Sequence, residues 1–185
     1  MAFDRSFDLL AHPAAPPPAG VAVSARVTLR DDGGIGLRFD IHAPAGALRF
    51  PAPALPAAAD GLWQHTCCEA FVAEAGVAAY TEFNFSPSGQ WAVYGFDAYR
   101  ARGADQGKPL WQPAIGFGQD GDVHVLSVTL DAAQLPARRC ALSLACVLED
   151  AAGGLSYWAL RHPGETPDFH HRDGFALMLD KESAP

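Results

Sequence analysis

The chain has 185 residues, of which 49% are hydrophobic, and a formal net charge of -8. That length fits one domain, residues 1–185, with a sizeable core. The acidic balance, with no basic cluster interleaved with aromatics, excludes nucleic acid and an anionic membrane surface as main partners. No run of about 18 apolar residues reads as a membrane-spanning helix.

Acids come early, at Asp4 and Asp8, with no apolar stretch after them. No secretory signal is therefore read there, and a cytoplasmic location is expected. Residues 3–10 are predicted to open the fold as a strand. The proline-rich connector at 12–18 can be neither helix nor central strand. Residues 21–30 alternate as a strand, Asp31-Asp32-Gly33-Gly34 turns the chain, and 35–42 return with Ile35, Leu37, Phe39 and Ile41 on one face. A short edge strand is predicted at 48–50, within a loop rich in Pro and Ala.

The central pair of strands carries the chemistry. In residues 67–72, Cys68, Ala70 and Val72 share one face, and Cys67, Glu69 and Phe71 the other. After the link Glu74-Ala75-Gly76, residues 80–86 place Tyr80, Glu82, Asn84 and Ser86 on one face. Thr81, Phe83 and Phe85 fall on the other, read as the core face. Paired, the two strands set Glu69, Glu82 and Asn84 on one polar face with Trp63 at its edge. Such a face is costly in a core and useful in a ligand pocket.

Residues 91–96 form the next predicted strand, after the turn Pro87-Ser88-Gly89. A polar loop with Gly103, Gly107 and Pro109 covers 100–112. Short and long strands follow at 115–117 and 123–130, around the turn Asp120-Gly121-Asp122. A single helical turn is predicted with Asp131 as its cap and Pro136 as its stop. Residues 141–149 and 155–160 form a hairpin through Gly153-Gly154, and 175–179 close the chain. About eleven strands with minimal helix predict an all-β antiparallel sandwich or jelly roll.

Four cysteines, Cys67, Cys68, Cys140 and Cys146, include no C-x-x-C pair. They read as reduced thiols packed like small hydrophobes, with a reactive Cys67 as the alternative. A second polar cluster runs Pro167-Asp168-Phe169-His170-His171-Arg172-Asp173, with His162 and Glu165 upstream. It reads as a loop-closing network in which Asp173 pairs Arg172 or Arg161. A metal site or a pocket rim are the other readings. Adjacent histidines on an extended chain point opposite ways, so one of them reaches a given site. Glu69 and Glu82 also have the chemistry of a general acid and base for glycoside hydrolysis. No Gly-x-Ser-x-Gly elbow, P-loop or dinucleotide fingerprint is present.

The motif Trp63-Gln64-His65-Thr66-Cys67-Cys68-Glu69-Ala70-Phe71, followed by Tyr80-Thr81-Glu82-Phe83-Asn84, resembles the DOMON-like superfamily, which includes the family 9 carbohydrate-binding modules. The segments Asn84 to Trp91, Leu155 to Leu160 and His162 to Asp173 are similar to a bacterial subgroup of DOMON-like proteins. The resemblance implies a β-sandwich with one pocket on a sheet face, where two aromatic rings clamp a sugar end. Trp63 matches the first clamp position and Glu69 an acidic acceptor of sugar hydroxyls; Trp158 or Phe169 supplies the second ring. The chain departs from the pattern in two places. No arginine lies on the 80–86 strand, and His65-Thr66 stands where an acidic pair linked to calcium is usual. Other superfamily members bind haem through Met and His; here the methionines are Met1 and Met178, the latter on a predicted core strand.

The expectation is a non-catalytic module for a carbohydrate or similar polyhydroxylated small molecule, without a cofactor. The ligand-binding set is Trp63, Glu69, Tyr80, Glu82, Asn84, Trp158, His162, Phe169, His170 and His171. An enzyme using Glu69 and Glu82, and a haem or metal redox module, are the alternatives; oligomeric state is left open.

Overall fold

The computed structural model describes residues 3–103, 111–137 and 139–180. Met1, Gly107 and Pro109 lie outside the described residues. The first strands in chain order are β1 (Asp4–Ala11), β2 (Ala22–Leu29), β3 (Ile35–His42), β4 (Leu48–Arg49), β5 (Cys67–Glu74), β6 (Tyr80–Phe85) and β7 (Trp91–Ala98). Then come β8 (Ala101–Arg102), β9 (Gly116–Asp120), β10 (Val123–Leu130), β11 (Arg139–Asp150), β12 (Leu155–Ala159) and β13 (Leu177–Asp180). Three 3-10 turns, Leu62–Gln64, Ala132–Gln134 and Arg172–Gly174, are the helical pieces among the described residues. The fold is all-β, with 13 strands against about eleven expected. No described helix is long and apolar enough to cross a membrane.

The strands follow one antiparallel path, β8-β7-β6-β5-β11-β12-β1-β2-β3-β10-β9, with β4 and β13 also paired to β11. β1 is the corner. Its residues from Asp4 to Leu9 pair with β2, while Leu10 and Ala11 pair with β12. One strand thus belongs to both layers, and the ribbon folds there into a sandwich. The alternation of β3 buries Ile35, Leu37, Phe39 and Ile41 in the first layer. The facing layer contributes Cys68, Ala70 and Val72 of β5, Phe83 and Phe85 of β6, and Leu142, Leu144, Cys146 and Leu148 of β11.

β5 is buried along both faces, all but Glu74. Its second face belongs to a smaller apolar cluster on the outside of the layer, made by Phe71, Ala73, Tyr80, Tyr94, Phe96 and Phe175 among others. Loops cover that outer face, so a strand in the middle of the layer has no solvent side. Cys68 and Cys146 are direct cross-strand partners in the core, with sulfurs 3.3 Å apart. Cys67 points the other way, is fully buried, and has its thiol pushed well up by burial and then by the charge of Glu69. That is the opposite of an activated nucleophile.

Several local expectations change. Trp158 faces the sandwich core at 5% exposure, and its Nε1–H donates to Ser156 Oγ at 3.1 Å. It is therefore removed from the ligand-binding set. Asp131 does not cap the following turn; its carboxylate accepts from Trp111 Nε1 at 2.9 Å. The last strand starts at Leu177, and Met178 points outward, so it is not a core residue. Phe175 instead closes the 3-10 turn, its N–H bonding Arg172 O. Trp158→Ala is expected to cost about 3–5 kcal/mol, read as a lowered urea midpoint; a ring on the outer surface would cost far less.

Candidate functional site

A cavity of about 600 Å³ lies on the outer face of the β5-containing layer. Its floor is set by strand parity. In the β5–β6 ladder Glu69 stands opposite Asn84, and Phe71 opposite Glu82, so the two glutamates are diagonal neighbours on one face. Glu82 also stands opposite Tyr94 of β7, and Val147 of β11 opposite Tyr157 of β12. All these residues except Asn84 line the cavity. Four strand spacings separate Tyr94 from Tyr157, about 19 Å of floor.

The walls come from three loops. The turn Leu62–Gln64 brings Trp63 and Gln64, and the Trp63 ring meets Tyr94 edge-on at 5.7 Å. Trp63 is 41% exposed, an indole at the mouth. The β7–β8 turn brings Arg100 and Arg102. The guanidinium of Arg102 lies 4.0 Å from the centre of the Tyr94 ring. Residues 160–171 bring Pro167, Phe169 and His170. Tyr94 itself donates to Asp60 Oδ1 at 2.9 Å, and burial together with that bond pushes its phenol up to about 12.

The two carboxyls differ in their surroundings. Glu69 is 2% exposed, and its Oε1 has no hydrogen-bond partner. Burial, then the charge of Glu82, pushes its carboxyl well above the usual range. Glu82 is 6% exposed and accepts from Asn84 Nδ2 at 2.6 Å. Burial raises it too, but the Asn84 bond and the charges of Arg102 and Arg100 oppose the rise. Two desolvated carboxyls on one face cannot both ionise cheaply. The proton belongs on Glu69, whose buried Oε1 has no partner, and the charge on Glu82, which accepts from Asn84. Asn84 is fully buried and reaches the cavity only through Glu82; its Oδ1 accepts weakly from Cys67 Sγ at 3.6 Å.

His170 sits against Phe71, Tyr80 and Phe96, with ring centres 5.0–5.9 Å away. Burial, then the positive charge of Arg100, lowers its pKa to about 4, so the imidazole is neutral near pH 7. Tyr80 Oη accepts from Arg100 N at 3.2 Å and lies 2.8 Å from His170 Nδ1. The phenol therefore donates to Nδ1, which leaves the ring proton on Nε2. That nitrogen is 3.7 Å from Glu82 Oε2, beyond hydrogen-bond reach and, with the ring neutral, no ion pair.

Of the sequence-predicted residues, Trp63, Glu69, Glu82, Phe169 and His170 line the cavity, while Tyr80 and Asn84 support it from behind. Trp158 is in the core. His162 is spent on the loop base, donating to Leu10 O at 2.7 Å, and His171 accepts from Asp173 N. Neither lines the cavity. Asp173 pairs with neither Arg172 nor Arg161. Arg172 donates to Val77 O and stacks over Phe175 instead. His65 and Thr66 are structural: His65 Nδ1 is 2.7 Å from Glu149 Oε2, and Thr66 Oγ1 donates to Arg49 O and accepts from Glu149 N. Tyr94, Tyr157, Arg100 and Arg102 were not singled out from the sequence. The alternation of β12 places Tyr157 on the face opposite Trp158.

No family model matches the chain, and no curated protein matches it significantly. Solved structures match over nearly its whole length. A Bacteroides uniformis ATCC 8492 protein, assigned provisionally to carbohydrate binding, superposes with a TM-score of 0.67 at 16% identity, covering 97% of this chain and 86% of that one. A family 9 carbohydrate-binding module from Caldicellulosiruptor kristjanssonii in complex with glucose gives 0.56 at 9% identity, covering 93% and 82%. One in complex with cellotriose gives 0.58 at 9% identity, covering 96% and 86%. At such identities the likeness establishes a shared sandwich fold.

The protonation of Glu69 has a signed consequence. Its folded pKa lies above the unfolded value, so its favourable contribution is complete at low pH. Stability is lost as pH rises from the ordinary carboxyl range through the raised value. Glu69→Gln is expected to unfold at higher temperature than the parent at pH 8, with the gap shrinking towards pH 4. Each unit between folded and unfolded values is worth about 1.4 kcal/mol, and thermal melts across that range check it.

Proposed function

We propose that this protein is a DOMON-like, non-catalytic binding module that holds a small carbohydrate or similar polyhydroxylated ligand in the cavity over β5 and β6. One observation carries it: two nearly buried carboxyls sit on the floor of a cavity whose sides are aromatic. Carboxyls and amides exchange hydrogen bonds with hydroxyls, and aromatic faces cover the apolar side of a sugar ring. The protonated Glu69 both donates and accepts, which suits a hydroxyl that does the same. About 600 Å³ is within the usual range of small-molecule sites. Trp63 is the exposed ring of the clamp, and Phe169 or Tyr157 supplies the second surface, in place of Trp158.

A hydrolytic reading has one observation in its favour: of the two carboxyls on one face, Glu82 accepts from Asn84 while Glu69 Oε1 has no partner, the unlike surroundings that an acid and its partner carboxylate need. The same experiment separates the two. Neutral mono- and disaccharides are titrated against Trp fluorescence and by calorimetry, with aryl glycosides assayed for release. Saturable quenching is expected in the parent. Trp63→Ala is expected to lose it and to weaken binding at least tenfold, with no glycoside release. Release that falls away in Glu69→Gln would establish the enzyme instead, and a panel that gives neither heat nor quenching would remove the binding proposal.

A further inference from the structure

We infer that the ligand of this cavity carries a free ammonium group, and that the site takes an amino sugar in preference to its neutral parent. The inference rests on the sugar-binding proposal above. Its own ground is the floor: the side chain of Glu69 is almost completely buried, lines the cavity and has an oxygen without a partner. Glu82 lies diagonally across the ladder on the same face. Among the described residues, the only basic side-chain nitrogen within 4.0 Å of either carboxyl is His170 Nε2, 3.7 Å from Glu82. That imidazole is neutral near pH 7 and supplies no counter-charge.

A hydroxyl offers one proton and no charge, so it can hydrogen-bond one of the two acids but leaves Glu69 protonated beside Glu82. An ammonium offers three donors and a full positive charge. Placed between the two carboxyls it offsets the charge of Glu82 and supplies the counter-charge that a buried Glu69 lacks, so both can ionise. Trp63, Phe71, Phe96 and Tyr157 line the same cavity, and the face of an aromatic ring attracts a desolvated cation. A metal ion is a poorer fit, because among the described residues no group of three His, Cys, Asp or Glu could hold one.

Two cations also line the cavity and must be weighed. Arg100 is paired with Asp168, with Nη2 2.9 Å from Oδ1, and Arg102 is exposed and stacked over Tyr94 at the mouth. Their fields favour the charged form of Glu82 from a distance, without a direct ion pair. Neither reaches within 4.0 Å of the glutamates.

The test uses matched pairs on the intact chain: glucose and glucosamine, galactose and galactosamine, mannose and mannosamine, each with its N-acetylated form. Calorimetry at pH 6.5 is run in two buffers of different ionisation enthalpy. At least one amine is expected to bind tenfold or more tightly than both its parent and its N-acetyl form, with up to one proton released per amine bound. The ratio of amine to parent is expected to collapse in Glu69→Gln, and because the readout is a ratio, a general loss of affinity cancels. Parents that bind as well as their amines would overturn the amino-sugar inference and leave the sugar site standing. Absence of binding by all nine compounds would overturn both.

Discussion

Two carboxyls held out of water on one sheet face set the terms for everything around them. Taking an ionised carboxyl from water into a protein interior costs several kcal/mol unless it is paired or hydrogen-bonded. Here the cost is divided: Glu69 keeps its proton, and Glu82 keeps its charge through Asn84 and the field of two arginines. The division depends on strand register. A slip of one residue in β5 would drive Glu69 into the sandwich core and turn Cys68, Ala70 and Val72 towards the cavity. The core side prevents that slip, since Cys68 meets Cys146, and Ala70 meets Leu144 and Phe83, in fixed cross-strand pairs.

The roof is tied down as firmly as the floor. Asp168 accepts from Tyr99 Oη at 2.6 Å, Arg100 Nη2 at 2.9 Å and His170 N at 3.1 Å. One carboxylate thus joins the 160–171 segment to the turn between β7 and β8. Arg100 has the left-handed backbone that a residue with a side chain seldom adopts, with φ of 52°, and its N–H is held by Tyr80 Oη. The segment is also fixed near its start by His162 on Leu10 O and just past its end by Arg172 on Val77 O. Anchors on three separate parts of the fold hold the cavity open before any ligand arrives, so less ordering entropy opposes binding.

Side-chain alternation made the floor legible from the residues alone. The faces assigned to 67–72 and 80–86 are those that carry Glu69, Phe71 and Glu82 into the cavity and Phe83 and Phe85 into the core. Trp158 went astray because its chemistry suggested a clamp, while its parity, shared with Ser156, put it inward beside the other core residues. Arg100 and Arg102 had no pattern to betray them. They lie past the end of β7, beyond a register shift between Phe96 and Ala98, where face assignment by counting fails. The roof depends on contacts between residues about seventy positions apart in the chain, such as Arg100 with Asp168, and no local periodicity encodes them.

A fold shared with sugar-binding modules fixes the sandwich, but the chemistry of a pocket belongs to its side chains. On that score Glu69 is the informative residue. An apolar side chain of similar size at that place would have no charge or polar oxygen to desolvate. The direct cross-strand neighbours of Glu69 are apolar Ala145 and polar Asn84, and neither satisfies its Oε1. A group that opposes local consistency in this manner, at the floor of a cavity, is what the proposed binding role calls for. Under that proposal the partner of its Oε1 is a group on the guest, and the acid beside it favours a guest that brings positive charge.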